Sequence, residues 1–211
     1  HMNLTERFAK CAAPEAIRPA ASWITRSALP VSKRETVRIL SSFSTQWSRF
    51  IEYFGRAPDF IDGHHHIHLL QAPRRALFRL VREKGFKGWL RQCRASSRRA
   101  WVQQLILDGP SARFAQCAIA TGFCINPGFG GLRVFLRSED LAKLWQSDLL
   151  AMPSGGLLIV HPGTTGSPPG TDVIDLCRVD EAAMLSTGRM RDILQSAHLK
   201  LAADARAPGW G

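Results

Sequence analysis

The sequence predicts an α/β protein in which a parallel sheet is flanked by helices, either as an open sheet or as a barrel. Two observations lead to this prediction: short apolar segments alternate with longer amphipathic segments, and two of the short segments run directly into histidine. Such alternation is typical of strand–helix–strand units. With 211 residues, 45% of them hydrophobic, the chain is long enough to bury one substantial core, and a single domain over 3–201 is expected.

The helices are predicted from apolar spacing and from capping residues. Ser32 and Glu35 form a capping box that begins a helix, which ends at Phe54 before Gly55. Further helices are predicted at 73–84, 98–120, 138–152 and 179–196, where apolar residues recur at three- and four-residue steps. The segment Asp108-Gly109-Pro110 is expected to break or end the helix at 98–120, because proline lacks the amide hydrogen that a helix needs.

The strands are predicted from short apolar runs at 60–62, 86–90, 157–160 and 199–201. Residues 122–131 are rich in glycine and contain the turn signal Asn126-Pro127-Gly128. This segment lacks the residue spacing of phosphate- and dinucleotide-binding loops. We therefore predict a loop over the active-site face.

The two ends of the chain and its cysteines indicate the bounds of the domain and the cellular compartment. His1-Met2 is interpreted as a cloning scar, and the small residues of 202–211 predict a disordered tail. No apolar run approaches the roughly 18 residues of a membrane span, and the start has no signal-peptide apolar region. The five cysteines form no C-x-x-C pair, which argues against a disulfide framework and favours the cytoplasm.

Two predicted strands end in histidine, and this pattern indicates a catalytic or metal site. Residues 60–62 lead into Asp62-Gly63-His64-His65-His66-Ile67-His68, and 157–160 lead into His161-Pro162-Gly163. Since the carboxyl ends of parallel strands line one face, we expect the two segments to converge. Imidazole and carboxylate suit zinc, manganese, nickel or iron, whereas carboxylate with water suits magnesium.

Not every histidine of the cluster can bind metal. If the segment is extended, His64, His66 and His68 point to one side. One or two of them would then bind metal, another would hold a ligand's second nitrogen, and the rest would pack. His161 taken alone is equally well explained as a histidine that caps a strand.

The charge is strongly positive. Lys and Arg number 28 against 17 Asp and Glu, a formal net charge of +11, and many of the cations lie between Arg74 and Arg99. A basic face can bind nucleic acid or anionic sugars, but it is more often the solvated side of helices. Aromatic residues do not interleave with these cations, which does not favour nucleic acid as the partner.

The segment Gln46 to Leu70, QWSRFIEYFGRAPDFIDGHHHIHLL, closely resembles the central signature of YdjC-like carbohydrate deacetylases, which include chitooligosaccharide deacetylases. His161-Pro162-Gly163 and Asn126–Gly131 are similar to later motifs of that family, so the resemblance covers about 29–201. It implies an irregular, TIM-like (β/α) barrel and removal of acetyl groups from N-acetylated sugars or oligosaccharides with one divalent metal, Mg or Zn. It also implies His64 as metal ligand and Asp62 and His161 as catalytic residues. We further expect His66, His68 and Asn126 to be supporting or substrate-binding residues.

The chain departs from the family pattern at its beginning. The family opens with a D-D-F-G motif and then a G-x-H motif, and neither occurs before Ser32. The expected fold is therefore an incomplete barrel that lacks its first strands. Three interpretations stay open: a shortened active enzyme, a natural remnant without activity, or a chain to which a second copy supplies the missing ligands. The exposed sheet edge predicts a homodimer. The alternative function is a catalytically silent module that binds sugars or polyanions with its basic face.

Overall fold

The computed structural model describes residues 32–97, 101–132, 140–164 and 175–202. The described residues form two compact units, 32–92 with 109–125 and 93–108 with 126–202. Helices and short parallel strands alternate in both, which confirms the α/β class. No closed barrel is present among the described residues, and residues 1–31, where the first strands were expected to be missing, lie outside them.

The first unit is built around a parallel sheet of three strands in the order β1, β2, β3. The strands are β1 (Phe60–Ile61), β2 (Trp89–Leu90) and β3 (Cys124–Ile125). Helices α1 (Lys33–Phe54) and α2 (Gln71–Glu83) belong to this unit, together with a 3-10 helix (His64–Leu69) and the second half of α3 (Trp101–Ala120).

Helix α1 begins as the capping signal predicts. The Ser32 side chain accepts a hydrogen bond from the Glu35 amide at 3.1 Å, and Gly55 ends the helix with a left-handed φ of 65°. Phe43 and Trp47 lie on the buried face of the helix, whereas Val37 is 56% exposed. The Trp47 ring meets the Phe86 ring edge-on with centroids 5.9 Å apart.

The expected break at Asp108-Gly109-Pro110 is wrong, because α3 continues through Pro110 to Ala120. Interior proline costs a helix about 3 kcal/mol. The residues that follow are tightly packed, with Phe114 and Ala118 fully buried. Tertiary packing of this kind outweighs a local breaking signal.

The second unit contains a parallel pair, β4 (Phe129–Gly130) with β5 (Leu157–Leu158). Its helices besides the first half of α3 are α4 (Leu141–Ala151), α5 (Asp175–Ser186) and α6 (Arg189–Ser196). Their apolar faces meet in a cluster of buried residues formed by Leu141, Trp145, Met184 and Ile193.

Three sequence predictions fail in detail. The segment 122–131 is not a loop, because β3 and β4 lie within it. The single helix expected at 179–196 is divided at Gly188, whose left-handed φ of 82° ends one helix and begins the next. The strand expected at 199–201 is absent from the described residues, where Leu201 is 75% exposed in an irregular segment.

The other elements agree with their predicted positions to within a few residues. Asp140 caps α4 by accepting from the amides of Ala142 and Lys143, while 138–139 lie outside the described residues. The four cysteines of the described part, Cys93, Cys117, Cys124 and Cys177, are free thiols. No helix in that part is both long and apolar enough to cross a membrane.

Candidate active site

The candidate site of the first unit lies where two paired strands end. Ile61 of β1 is in register with Leu90 of β2, so Asp62 and Arg91 directly follow the ends of the two strands. The Arg91 guanidinium donates to the Asp62 carboxylate and to the Gly63 carbonyl, the latter at 2.8 Å. Arg91 is only 2% exposed. A buried guanidinium therefore fixes the side chain and backbone of the strand end that carries the histidines.

The histidine cluster is not extended. His64 to Leu69 form a 3-10 helix, so the condition under which His64, His66 and His68 would point to one side is not met. Ile67 is 6% exposed and His64 is half-buried. Residues of this turn therefore differ in exposure, and each histidine is described by its own contacts.

His66 contacts Arg91 through its ring. The distance from the guanidinium Nη1 to His66 Nδ1 is 2.9 Å. His66 also has a left-handed backbone, with φ of 58°, and its amide donates to the Gly63 carbonyl at 3.0 Å. This conformation is uncommon for a residue other than glycine, and residues held in such regions concentrate at functional sites.

His68 is a core residue of this unit. It is 2% exposed, its Nε2 lies 2.8 Å from the Arg91 carbonyl oxygen, and its ring meets Phe114 edge-on at 5.1 Å. Since a carbonyl only accepts, Nε2 carries the proton. Burial, and next the charge of Arg91, lower the pKa of His68 from 6.5 to about 3. His68 is therefore a neutral residue that supports Arg91.

The second unit contains His161 and Asn126. The His161 amide donates to the carboxylate of Glu181, which is 2% exposed on α5, and the Gly163 amide donates to the Arg178 carbonyl at 3.1 Å. Helix α5 thus holds the segment that carries His161, whose residue is half-buried. Buried Asn126 donates through Nδ2 to the Gly128 carbonyl at 2.8 Å and braces its own turn.

The sequence-predicted residues thus fall into two groups. Asp62, His66 and His68 gather around Arg91 in the first unit, with His64 at the start of the same turn. Asn126 and His161 belong to the second unit. The convergence of His64 with His161 stays a prediction.

Sequence reasoning missed Arg91 and Glu181. A signal for Arg91 is present, because it directly follows the strand predicted at 86–90, but it lies within a run of cations, which by itself predicts a solvated face. Glu181 gives no signal, because a single acidic residue on a helix carries no mark of burial.

The side chains of Asp62, His66 and His68, as the structure places them, do not fit a divalent metal. Asp62 and His66 Nδ1 both bind the Arg91 guanidinium, and His68 Nε2 binds a backbone carbonyl. A dication at Asp62 would have to displace Arg91 or lie against its positive charge. In the part of the chain that the structure describes, no three His, Cys, Asp or Glu side chains form a group that could hold a metal ion.

Fold and site together define a class: an α/β protein whose parallel strands end in a polar cluster built from aspartate, histidine and arginine. The chain belongs to the family described as YdjC-like protein, whose family model matches residues 1–196. That match covers all but the last few residues of the region of resemblance, about 29–201. A comparison with curated protein sequences gave no match.

Proposed function

We propose that this protein is a carbohydrate deacetylase-type hydrolase that cleaves the amide bond of N-acetylated sugars. The observation that carries the proposal is the cluster of Asp62, His66 and Arg91 at the carboxyl ends of β1 and β2, in a chain that belongs to the YdjC-like family. Strand carboxyl ends are where α/β folds place their active sites.

The reaction has three parts that the protein must assist. Water adds to the carbonyl carbon, the carbon–nitrogen bond breaks, and the departing amine takes up a proton, which leaves acetate and a free amino sugar. The resemblance to the family assigns the protonation of the amine to His161, and this assignment is a prediction in its own right. Asp62 is held by Arg91 in one orientation and is assigned to substrate positioning, together with His64 at the start of the 3-10 helix.

The test is release of acetate from N-acetylglucosamine and its oligomers by the purified chain. We expect turnover that falls at least about 100-fold in His161→Asn, since a positioned acid or base contributes roughly 10²–10⁴-fold. His198→Asn is the matched control, because His198 is exposed and belongs to neither site. The assay is run with a chelator and with added zinc or magnesium. Absence of acetate release under every condition would refute the proposal.

A second candidate function, polyanion binding, is supported by the outer side of α2. Arg75, Arg79 and Arg82 are exposed there and follow one another at four- and three-residue steps, so they form one stripe. Binding of a heparin oligosaccharide that weakens steeply with salt and is lost in Arg75→Gln/Arg82→Gln would favour this function. If neither the added salt nor the double substitution weakens binding, the stripe is excluded as the polyanion-binding surface.

A further inference from the structure

We infer that a cavity at the amino ends of β2 and β3 is a binding site for a small organic phosphate, and that Arg82 and Lys87 hold the phosphate group. The cavity has a volume of about 310 Å³ and lies within the first unit. Because the strands of this sheet are parallel, their amino ends form the edge opposite to the one where Asp62 and Arg91 lie. The inference therefore concerns a second site and does not rest on the proposed function.

The cavity is formed where two helices end in the same way. Shortly after its last residue, α2 is followed by Gly85 and Phe86. Helix α3 is followed in the same manner by Gly122 and Phe123. Both glycines are left-handed, with φ of 59° and 78°, and each phenylalanine amide donates at 2.9 Å to a carbonyl of the last helical turn. The centroids of the two phenylalanine rings are 6.4 Å apart, and both residues line the cavity.

Two cations of this cavity have no partner within the described part of the chain. Arg82 lies in the last turn of α2, Lys87 precedes β2, and both are exposed residues that line the cavity. Neither makes an ion pair or a side-chain hydrogen bond with another described residue. No acidic residue is among those that line the cavity. An anion that enters it therefore meets two positive charges that no carboxylate of the described residues neutralises.

The end of α2 does not require the Arg82 side chain. The carboxyl end of a helix carries partial negative charge and favours a nearby cation. Here the Val81 carbonyl accepts from the Phe86 amide at 2.9 Å, and the Arg82 carbonyl accepts from the Gly85 amide at 3.2 Å. Backbone hydrogen bonds of this kind complete a helix end without a side chain. The Arg82 guanidinium, whose N–H groups are all donors, is therefore left for a ligand.

The segment between α2 and β2 adds backbone donors. None of the described residues accepts a hydrogen bond from the amides of Lys87 and Gly88, and both residues line the cavity. Gly88 lies so close to Asp59 that an added Cβ would be 2.0 Å from the Asp59 carbonyl oxygen, so this segment is packed tightly against the residue before β1. Successive backbone amides are a recurring element of phosphate sites. The segment can therefore supply neutral donors beside the two charges.

The size and the walls of the cavity indicate an organic phosphate. Small-molecule pockets have volumes of roughly 300–1,000 Å³, and this cavity lies at the lower end of that range. It has about ten times the roughly 30 Å³ that a water molecule occupies in the liquid, which leaves room beyond a phosphate group. Phe86 and Phe123 offer apolar surface to the rest of the ligand. Arginine binds phosphate with paired N–H groups and lysine binds it as a point charge.

Protection of Cys124 from alkylation locates the ligand. Cys124 is a half-buried free thiol that lines the cavity, whereas Cys117 is half-buried and free but does not line it. The reaction of each thiol with iodoacetamide is followed by peptide mass spectrometry. Phenyl phosphate at about ten times its Kd should slow alkylation of Cys124 about 10-fold, because only the unoccupied fraction reacts, and should leave Cys117 unchanged. Phenol, which lacks the phosphate, should not protect. Equal protection by phenol, equal protection of the two thiols, or no protection of Cys124 overturns the inference.

Substitutions test the two cations. We expect Arg82→Gln and Lys87→Gln each to raise the Kd for phenyl phosphate, measured by calorimetry at fixed ionic strength, about 10-fold or more, since hydrogen bonds between charged groups are strong. Lys84→Gln and Arg75→Gln are the matched controls, because both residues are exposed cations near or on α2 that do not line the cavity. Equal increases in the control variants, or a Kd that neither Arg82→Gln nor Lys87→Gln changes, overturn the inference. Failure to release acetate bears on the proposed function alone, because it concerns the opposite edge of the sheet.

Discussion

The buried His68 predicts a specific loss of stability in acid. Its pKa is lowered from 6.5 to about 3 in the folded protein, mainly by burial, so the folded state binds fewer protons than the unfolded state between these values. The contribution of His68 to the free energy of unfolding is therefore fully present above about pH 6.5, and it decreases as the pH falls toward 3. From the two pKa values, we expect that lowering the pH from about 7.5 to about 5 reduces the free energy of unfolding by about 2 kcal/mol through His68 alone.

The assay is urea unfolding followed by circular dichroism at a series of pH values, for the unmodified protein and for His68→Gln. Glutamine keeps an N–H donor for the Arg91 carbonyl but does not titrate. The variant should be less stable near pH 7.5, and the difference between the two proteins should shrink by about 2 kcal/mol by pH 5. Parallel stability curves for the two proteins between pH 7.5 and 5 would refute the argument, since carboxylates that titrate in both cancel in the comparison.

Two further predictions concern single contacts, and a third concerns the oligomeric state. Gly131→Ala should lower the free energy of unfolding, measured in urea, by more than about 3 kcal/mol, because φ at Gly131 is +86° and an added Cβ would lie 2.1 Å from the Ile159 carbonyl oxygen. Gly55 is also left-handed but has open space around it, so Gly55→Ala should lower the same free energy by only about 1 kcal/mol. Equal losses would contradict this. Asp148→Ala should lower the free energy of unfolding by about 1–3 kcal/mol, because buried Asp148 accepts a hydrogen bond from the Gly131 amide at 2.7 Å. An unchanged urea midpoint would be evidence against this prediction. Light scattering should show the dimer that the sequence analysis predicts, and a monodisperse monomer would contradict that prediction.

Local signals predicted the elements well where the residues involved act on their own backbone. Ser32, Glu35 and Gly55 determine the ends of α1 through hydrogen bonds and torsion angles that depend only on neighbours in sequence. The apolar residues of 60–61 and 89–90 likewise mark β1 and β2. Residue type and spacing are therefore sufficient to mark Asp62, the polar residue after β1, as the beginning of a candidate site.

Signals that compete with tertiary packing were misleading. Pro110 should end a helix, but the burial of Phe114 and Ala118 keeps α3 continuous. Glycine-rich 122–131 should be a loop, but parallel partners exist for both β3 and β4. In each case the deciding energy comes from residues distant in sequence, which a local pattern does not contain.

The sequence by itself determined the α/β class, the membership of the YdjC-like family and the position of the histidine cluster at a strand end, because all three depend on residue type and spacing. Only the tertiary structure decided which atoms of the cluster donate hydrogen bonds and which accept them. The pairing of β1 with β2 brings Arg91 beside Asp62 and His66, residues 25 or more positions earlier in the chain. A guanidinium buried among acceptors fixes their orientation and their tautomers, and burial is a property of the assembled fold.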